Sequence, residues 1–282
     1  MDQLTGLRDF ITGEGRTHRA ETGGDRSFCW TVASGKGGVG KTVTASALAL
    51  LLAEKGLRVL LVDSDLSLPN MHMVFDVPSR PVLSGYLAGT LVLADAVTPV
   101  TGSLHILASG QGGLDHQGVV SHFLEKALSD AGAAGYDVVL VDSPNGFDAA
   151  HRLLNRVSDA VTLVTTPEHT SVANAYAYFK LLRAQTRELP VSLVVNQVRD
   201  SQEAEETIEK LNKIAEHFLK EKIATAGWIP ADPHVQDGLR DGCLLRSWEQ
   251  GTTFMLFMET ILQQHGEIPV FDKLGKGRLQ AA

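Results

Sequence analysis

The sequence predicts an α/β protein built as a doubly wound, mostly parallel sheet flanked by helices. Three observations carry that prediction. Apolar runs of strand length alternate with stretches of helical periodicity along the chain. The strand-like runs are continuously apolar, as in RVLLVD at 58–63 and DVVLVD at 137–142, which suits strands covered on both faces. The first strand-like run leads through the glycine-rich stretch SGKGGVGKT at 34–42 into a helical stretch, an order that seats phosphate on a helix N-terminus.

Taken in order, residues 12–27 are glycine-rich, polar and poor in large apolar side chains, which predicts a flexible linker. Residues 1–27 thus separate as an N-terminal segment from a body at 28–282. Residues 28–34 form a β-prone run. Residues 43–55 carry alanine and leucine at helical spacing and end at Gly56, a favourable helix terminator. A second strand is predicted at 58–63 and a weaker one at 104–108. A helix at 117–131 and a buried strand at 137–142 follow. Further strands are expected at 160–165, 191–196 and 224–229, and further helices at about 147–157, 170–187 and 201–221. Right-handed crossovers join such strands, and ligands bind beyond their carboxyl ends. A C-terminal helix at about 250–264 carries Phe254, Phe257, Met258, Ile261 and Leu262 as an apolar stripe. That stripe leaves two uses open, packing on the domain's own core or contact with lipid. The polar face of 250–264 bears no lysine or arginine, and Lys273, Lys276 and Arg278 follow only later.

Composition bounds the function. Of 282 residues, 44% are hydrophobic and 21% charged, which describes a globular chain. No run approaches the ~18 apolar residues of a membrane span, and no stretch has the pattern of a signal peptide. The two cysteines, Cys29 and Cys243, form no CxxC or zinc spacing, and a cytoplasmic location is expected. A net charge of −8 argues against a broad grip on nucleic acid, so no specific nucleic-acid partner is expected.

The chemistry concentrates at the strand ends. Gly35, Gly40, Lys41 and Thr42 satisfy the phosphate-loop pattern, with Lys36, Gly37, Gly38 and Val39 between them and Val43 following. Backbone N–H groups of such a loop face phosphate oxygens, Lys41 bridges the β- and γ-phosphates, and the Thr42 hydroxyl ligates Mg²⁺. Asp63 and Asp65 close the run VDSD, and Asp142 closes VLVD. A carboxylate after four apolar residues aims an oxygen at Mg²⁺ or its water shell, which assigns Asp63 and Asp142 to the metal. Asp65 is the candidate for orienting the attacking water and accepting its proton. Guanine-specific loops carry an N-K-x-D stretch; here the corresponding strand ends Asn196-Gln197-Val198-Arg199. The Asn196 amide offers a donor and an acceptor suited to adenine, with Pro230 and Asp232 walling the same pocket, so ATP is favoured over GTP. Lys36, on the outer rim of the loop, is free to reach the γ-phosphate of another subunit.

With these residues in place, the chain resembles the SIMIBI class of P-loop NTPases, specifically the MinD/ParA group with the deviant Walker A motif KGGVGKT. Within that group it is similar to the FlhG/FleN family of flagellar number regulators, on VDSDLSLPN with Asn70, VLVDSPNG, TSVANAYAYFKLL and GWIPADPHVQDGL. The resemblance implies a homodimer that sandwiches two ATP molecules, with Lys36 crossing to the partner's phosphates as an arginine finger does. It also implies that Asp2, Gln3, Leu7 and Arg8 match the family's DQAxxLR segment, which docks on an FlhF-type SRP GTPase and stimulates its hydrolysis. A flagellar transcriptional regulator and peripheral membrane contact are further implied partners. The chain departs from the family pattern at Leu4, at His72, at Asn174 and in Asp142-Ser-Pro-Asn-Gly146. Two alternatives from the wider group are a DNA-partitioning ATPase of the ParA type and a cell-division site regulator of the MinD type. The first needs a basic dimer surface, which the acidic balance opposes. A cluster-carrying ATPase needs interfacial thiolates that two isolated cysteines do not supply.

Overall fold

A computed structural model describes residues 26–66, 71–108, 117–144, 146, 149–242, 244, 248 and 252–265. The elements are β1 (Phe28–Ala33), α1 (Lys41–Glu54), β2 (Val59–Asp63), α2 (Met71–Val74), α3 (Leu83–Leu87), α4 (Leu93–Ala96), β3 (Thr98–Pro99), β4 (Leu104–Leu107) and α5 (Gln117–Ala133). They continue with β5 (Val138–Asp142), α6 (Ala149–Val157), β6 (Ala160–Thr165), α7 (His169–Gln185), β7 (Val191–Val198), α8 (Ser201–Leu219), β8 (Ala224–Pro230), α9 (Pro233–Asp241) and α10 (Thr253–Gln264).

The sheet has the strand order β3-β4-β2-β5-β1-β6-β7-β8. Every pairing is parallel except that of β3 with β4 at one edge. The chain starts at β1, builds outward on one side through β2, and later fills the other side from β6. That reversal leaves the crevice of a doubly wound sheet at the carboxyl end of β1. Register then decides what meets there. Asp63 of β2 lies opposite Asp142 of β5, and Asp142 lies opposite Val32 of β1.

Alternation along the strands feeds two helical layers. In β2, Val59 and Leu61 join the core beneath α1 and α10, while Leu60 and Val62 face α5 and α6. Beside them, Leu163 and Leu193 pack against α7 and α8. Helix α1 is apolar all round, and its Leu48 and Leu52 are fully buried, each worth roughly 1.5–3 kcal/mol. It begins at Lys41, two residues before the sequence pattern suggested, because the helical turn already opens within the phosphate loop. The short helices α2, α3 and α4 and the two-residue β3 have no counterpart in the sequence reading, being shorter than one apolar period.

The apolar C-terminal stripe packs on the core. Phe254, Met258, Ile261 and Leu262 are buried, and α10 lies against β8 and α1. His265, at its C-terminal end, pins the helix to the sheet. Its ring lies 4.8 Å from that of Trp30, its Nδ1 is 2.7 Å from the Ile261 carbonyl, and its Nε2 is 2.6 Å from the Ser192 hydroxyl. A carbonyl can only accept, so Nδ1 carries the proton and Nε2 accepts from Ser192 in the neutral ring. Burial lowers the His265 pKa, opposed by the Ile261 carbonyl. A depressed folded-state pKa makes its contribution present above the unfolded value near 6.5 and lost as pH falls through the folded value. Between pH 7 and pH 5 the melting temperature should therefore drop by about 2–4 °C more in the wild type than in His265→Gln, measured by thermal denaturation.

Candidate active site

The loop after β1 is shaped by two glycines with different reasons. Gly40 holds φ at +92°, and a Cβ there would stand 2.3 Å from the Asn196 amide. Gly35 meets the backbone of α7 instead: a Cβ would lie 2.2 Å from the Asn174 carbonyl oxygen. Only hydrogen fits at either place. The loop ends in α1, whose first residue, Lys41, is 7% exposed. Burial holds its ammonium below the usual range, opposed by the charges of Asp142 and Asp65.

The sequence-predicted residues converge on one cleft of about 430 Å³, lined by Gly38, Gly40, Lys41, Thr42, Val43, Asp65, Asn196, Pro230 and Asp232. Gly35, Gly37 and Val39 complete the loop without lining it. Asp63 and Asp142 lie buried below. Asp142 accepts a 2.6 Å hydrogen bond from the Thr42 hydroxyl on Oδ2, while its Oδ1 has no partner among the described residues. Asp63 accepts the backbone N–H groups of Asp65 at 3.1 Å and Met71 at 3.3 Å. Burial pushes both carboxyls above the usual carboxylate range. The Asp142 charge adds to this for Asp63, whereas the Thr42 hydrogen bond and Lys41 pull Asp142 back.

A buried, unpartnered carboxylate oxygen beside a threonine hydroxyl fits Mg²⁺, which takes oxygen ligands and keeps several waters. No group of three metal-ligating side chains converges among the described residues, so phosphate and water oxygens would complete the shell. Ser64 joins the two carboxylate segments: its N–H donates to the Asp142 carbonyl at 3.2 Å, and its hydroxyl bonds the same oxygen. Ser143 N–H donates to Val32 O at 3.0 Å, tying β5 to β1 in the same way.

Lys36 lies at the rim. Its ammonium pairs with Glu168 and lies 3.3 Å from the Thr170 hydroxyl, both at the start of α7. That hydrogen bond and the lysine's charge hold the Glu168 carboxyl below its usual range. Glu168 and Thr170 escaped the sequence reading; the available signal was an acidic residue following β6, the strand next to β1. Also unread were the apolar wall of the cleft, Met73, Val235, Leu239 and Phe254, and the start of α9. Asp232 caps that helix by accepting the His234 N–H at 2.8 Å, with Pro233 at its first position. Asp2, Gln3, Leu7 and Arg8 lie outside the described residues.

A parallel sheet with a glycine loop at its switch point, a lysine and a threonine opening the next helix, and paired carboxylates beneath defines a phosphate-loop nucleotide hydrolase. Residues 30–243 match the CobQ/CobB/MinD/ParA nucleotide-binding domain, and the chain belongs to that family. The antiactivator FleN of Pseudomonas aeruginosa is 32% identical over 212 residues, covering 74% of this chain and 75% of that protein. The flagellum site-determining protein YlxH of Helicobacter pylori is 30% identical over 191 residues, 67% of this chain and 64% of that protein. Among solved structures, the septum site-determining protein MinD of Pyrococcus horikoshii, in complex with Mg-ADP, superposes with a TM-score of 0.70. It is 23% identical and covers 89% of this chain and 99% of its own. The chain is thus an ATPase of the MinD/ParA type.

Proposed function

We propose that the chain is an ATP-dependent dimerising switch that regulates flagellar number or placement. One observation supports the switch reading: Lys36 stands on the loop yet turns to the rim, where it pairs with Glu168 and Thr170 at a solvent-exposed position that a second copy of the chain could approach. The likeness to FleN and YlxH supports the flagellar role.

In this reading the loop's N–H groups and Lys41 hold the phosphates, and Thr42 with Asp142 holds Mg²⁺. The cation, when bound, neutralises charge on the β- and γ-phosphates. Asp63, expected at the metal, has both carboxylate oxygens engaged by the N–H groups of Asp65 and Met71; in this reading it fixes the segment that carries Asp65, and Asp65 orients the water and takes up its proton. Asn196 keeps one amide hydrogen and one lone pair for adenine after its bonds within the protein. Pro230 and Asp232 wall the base.

The N-terminal segment, with Asp2, Gln3, Leu7 and Arg8, docks on an FlhF-type GTPase, and Gln3 orients water in the partner's site. The name antiactivator, borne by FleN, supports a transcriptional regulator as a further partner. Among the described residues no helix is long and apolar enough to cross a membrane. With the α10 stripe buried, peripheral membrane contact falls to the later Lys273, Lys276 and Arg278.

Light scattering on the full chain and on a chain lacking residues 1–11 tests both halves. Each should rise from its monomer mass with ADP, 30.3 kDa for the full chain, to twice that mass with a slowly hydrolysed ATP analogue and Mg²⁺. Only the full chain should stimulate GTP hydrolysis by the partner. A monomer with bound analogue would remove the switch, and stimulation by the shortened chain would remove the N-terminal role.

A further inference from the structure

Three carbonyl oxygens of the phosphate loop share one arrangement: each accepts a hydrogen bond from a side-chain donor. The Ser34 hydroxyl donates to the Lys36 carbonyl at 2.7 Å, Gln197 Nε2 to the Gly38 carbonyl at 3.3 Å, and Asn196 Nδ2 to the Val39 carbonyl at 2.8 Å. A planar trans peptide points its C=O and its N–H in opposite directions. Holding these three oxygens back therefore turns the N–H groups of Gly37, Val39 and Gly40 the other way.

The donors on β7 are themselves built for the task. Asn196 Oδ1 accepts the Gln197 N–H at 2.9 Å, which fixes the amide so that its nitrogen faces Val39. Gln197 adopts φ of +60°, a left-handed conformation uncommon for a residue with a Cβ. Pairing of β7 with β8 shifts register between Val195 and Val198, so the strand is deformed where the two side chains meet the loop. Local strain of this kind persists only where the surroundings enforce it.

We propose that Asn196 and Gln197 are positioning residues that hold the phosphate loop in its binding shape before nucleotide arrives, with Gln197 accepting backbone strain to do so. This rests on the nucleotide reading of the cleft but not on dimerisation or on base choice. The role acts on phosphate alone, which separates it from reading the base.

The test is calorimetric binding of Mg-ATP, Mg-GTP and inorganic tripolyphosphate with Mg²⁺ to the full chain and to Gln197→Gly. Glycine tolerates the left-handed conformation and removes only the side-chain donor. We expect affinity for all three to fall by about the same factor, roughly fivefold for one lost hydrogen bond, while the melting temperature without ligand holds or rises. Gln197→Glu, which replaces the donor with a carboxylate of the same length, should weaken all three further. A loss confined to ATP would make Gln197 a base contact and overturn the proposal. So would unchanged affinities, or a fall in ligand-free stability that accounts for the loss. A wild-type chain binding none of the three would remove the nucleotide reading itself, and the positioning role with it.

Discussion

Replacing Lys36 by alanine should leave ATP bound and lower its turnover by at least about a hundredfold, the scale on which a trans cation stabilises phosphoryl transfer. Binding survives because Lys41, Thr42 and the backbone of the loop remain, and Lys36 does not line the cleft. Folding survives because the Lys36–Glu168 pair is solvent-exposed, and such pairs add little to stability. Calorimetry for ATP and single-turnover hydrolysis at rising protein concentration give the two readouts. In the wild type, the specific rate should climb with concentration as dimers form; in Lys36→Ala it should stay flat. An undiminished, concentration-dependent rate would show that the rim lysine acts on nothing across an interface.

Asp65→Ala should trap the ATP-bound form. Loss of the group that orients water and takes its proton should cost about a hundredfold or more in turnover. Affinity for ATP should rise at the same time. Asp65 faces the cleft with a negative charge, and its field raises the pKa of Asp142, so its removal relieves repulsion where the triphosphate sits. Light scattering of this variant with Mg²⁺ and ATP should show a persistent dimer, while Asp65→Asn should match it in turnover because the amide accepts no proton. A monomer with ATP bound would take the water-orienting role away from Asp65.

Both experiments rest on residues readable in the sequence, and the physical reason is locality. The phosphate loop is contiguous, and the buried strands announce themselves as unbroken apolar runs with a carboxylate at the end. Asp63 and Asp142 are therefore nameable one by one, whereas the register of β2 with β5 that sets them side by side is carried by no local pattern. Glu168 was not nameable for Lys36, because the pair is 132 residues apart in sequence and forms only where β1 and β6 run side by side. The α9 helix has a sound start signal in Asp232-Pro233, yet only Gly238 is buried in its nine residues, so the apolar stripe that would mark it beyond a turn is weak. The α10 stripe was seen, but sequence alone could not choose between core and lipid, since both ask for the same apolar face. The cleft wall of Met73, Val235, Leu239 and Phe254 is drawn from three separate helices, so no local pattern marks it.

The double grip of Ser64 on the Asp142 carbonyl has a mechanical consequence. The tips of β2 and β5 are joined beyond their ladder, and Ser143 joins β5 to β1 in turn. Asp63, Asp65 and Asp142 are thus mounted on one stiff bracket, with the α2 segment hung from Asp63 through the Met71 N–H. Asp63 and Asp142 are therefore coupled through backbone as well as ladder, and the start of α2 is tied to the same unit. In the proposed switch, release of phosphate would then reach the protein surface as displacement of a whole part, a form of signal another protein can read.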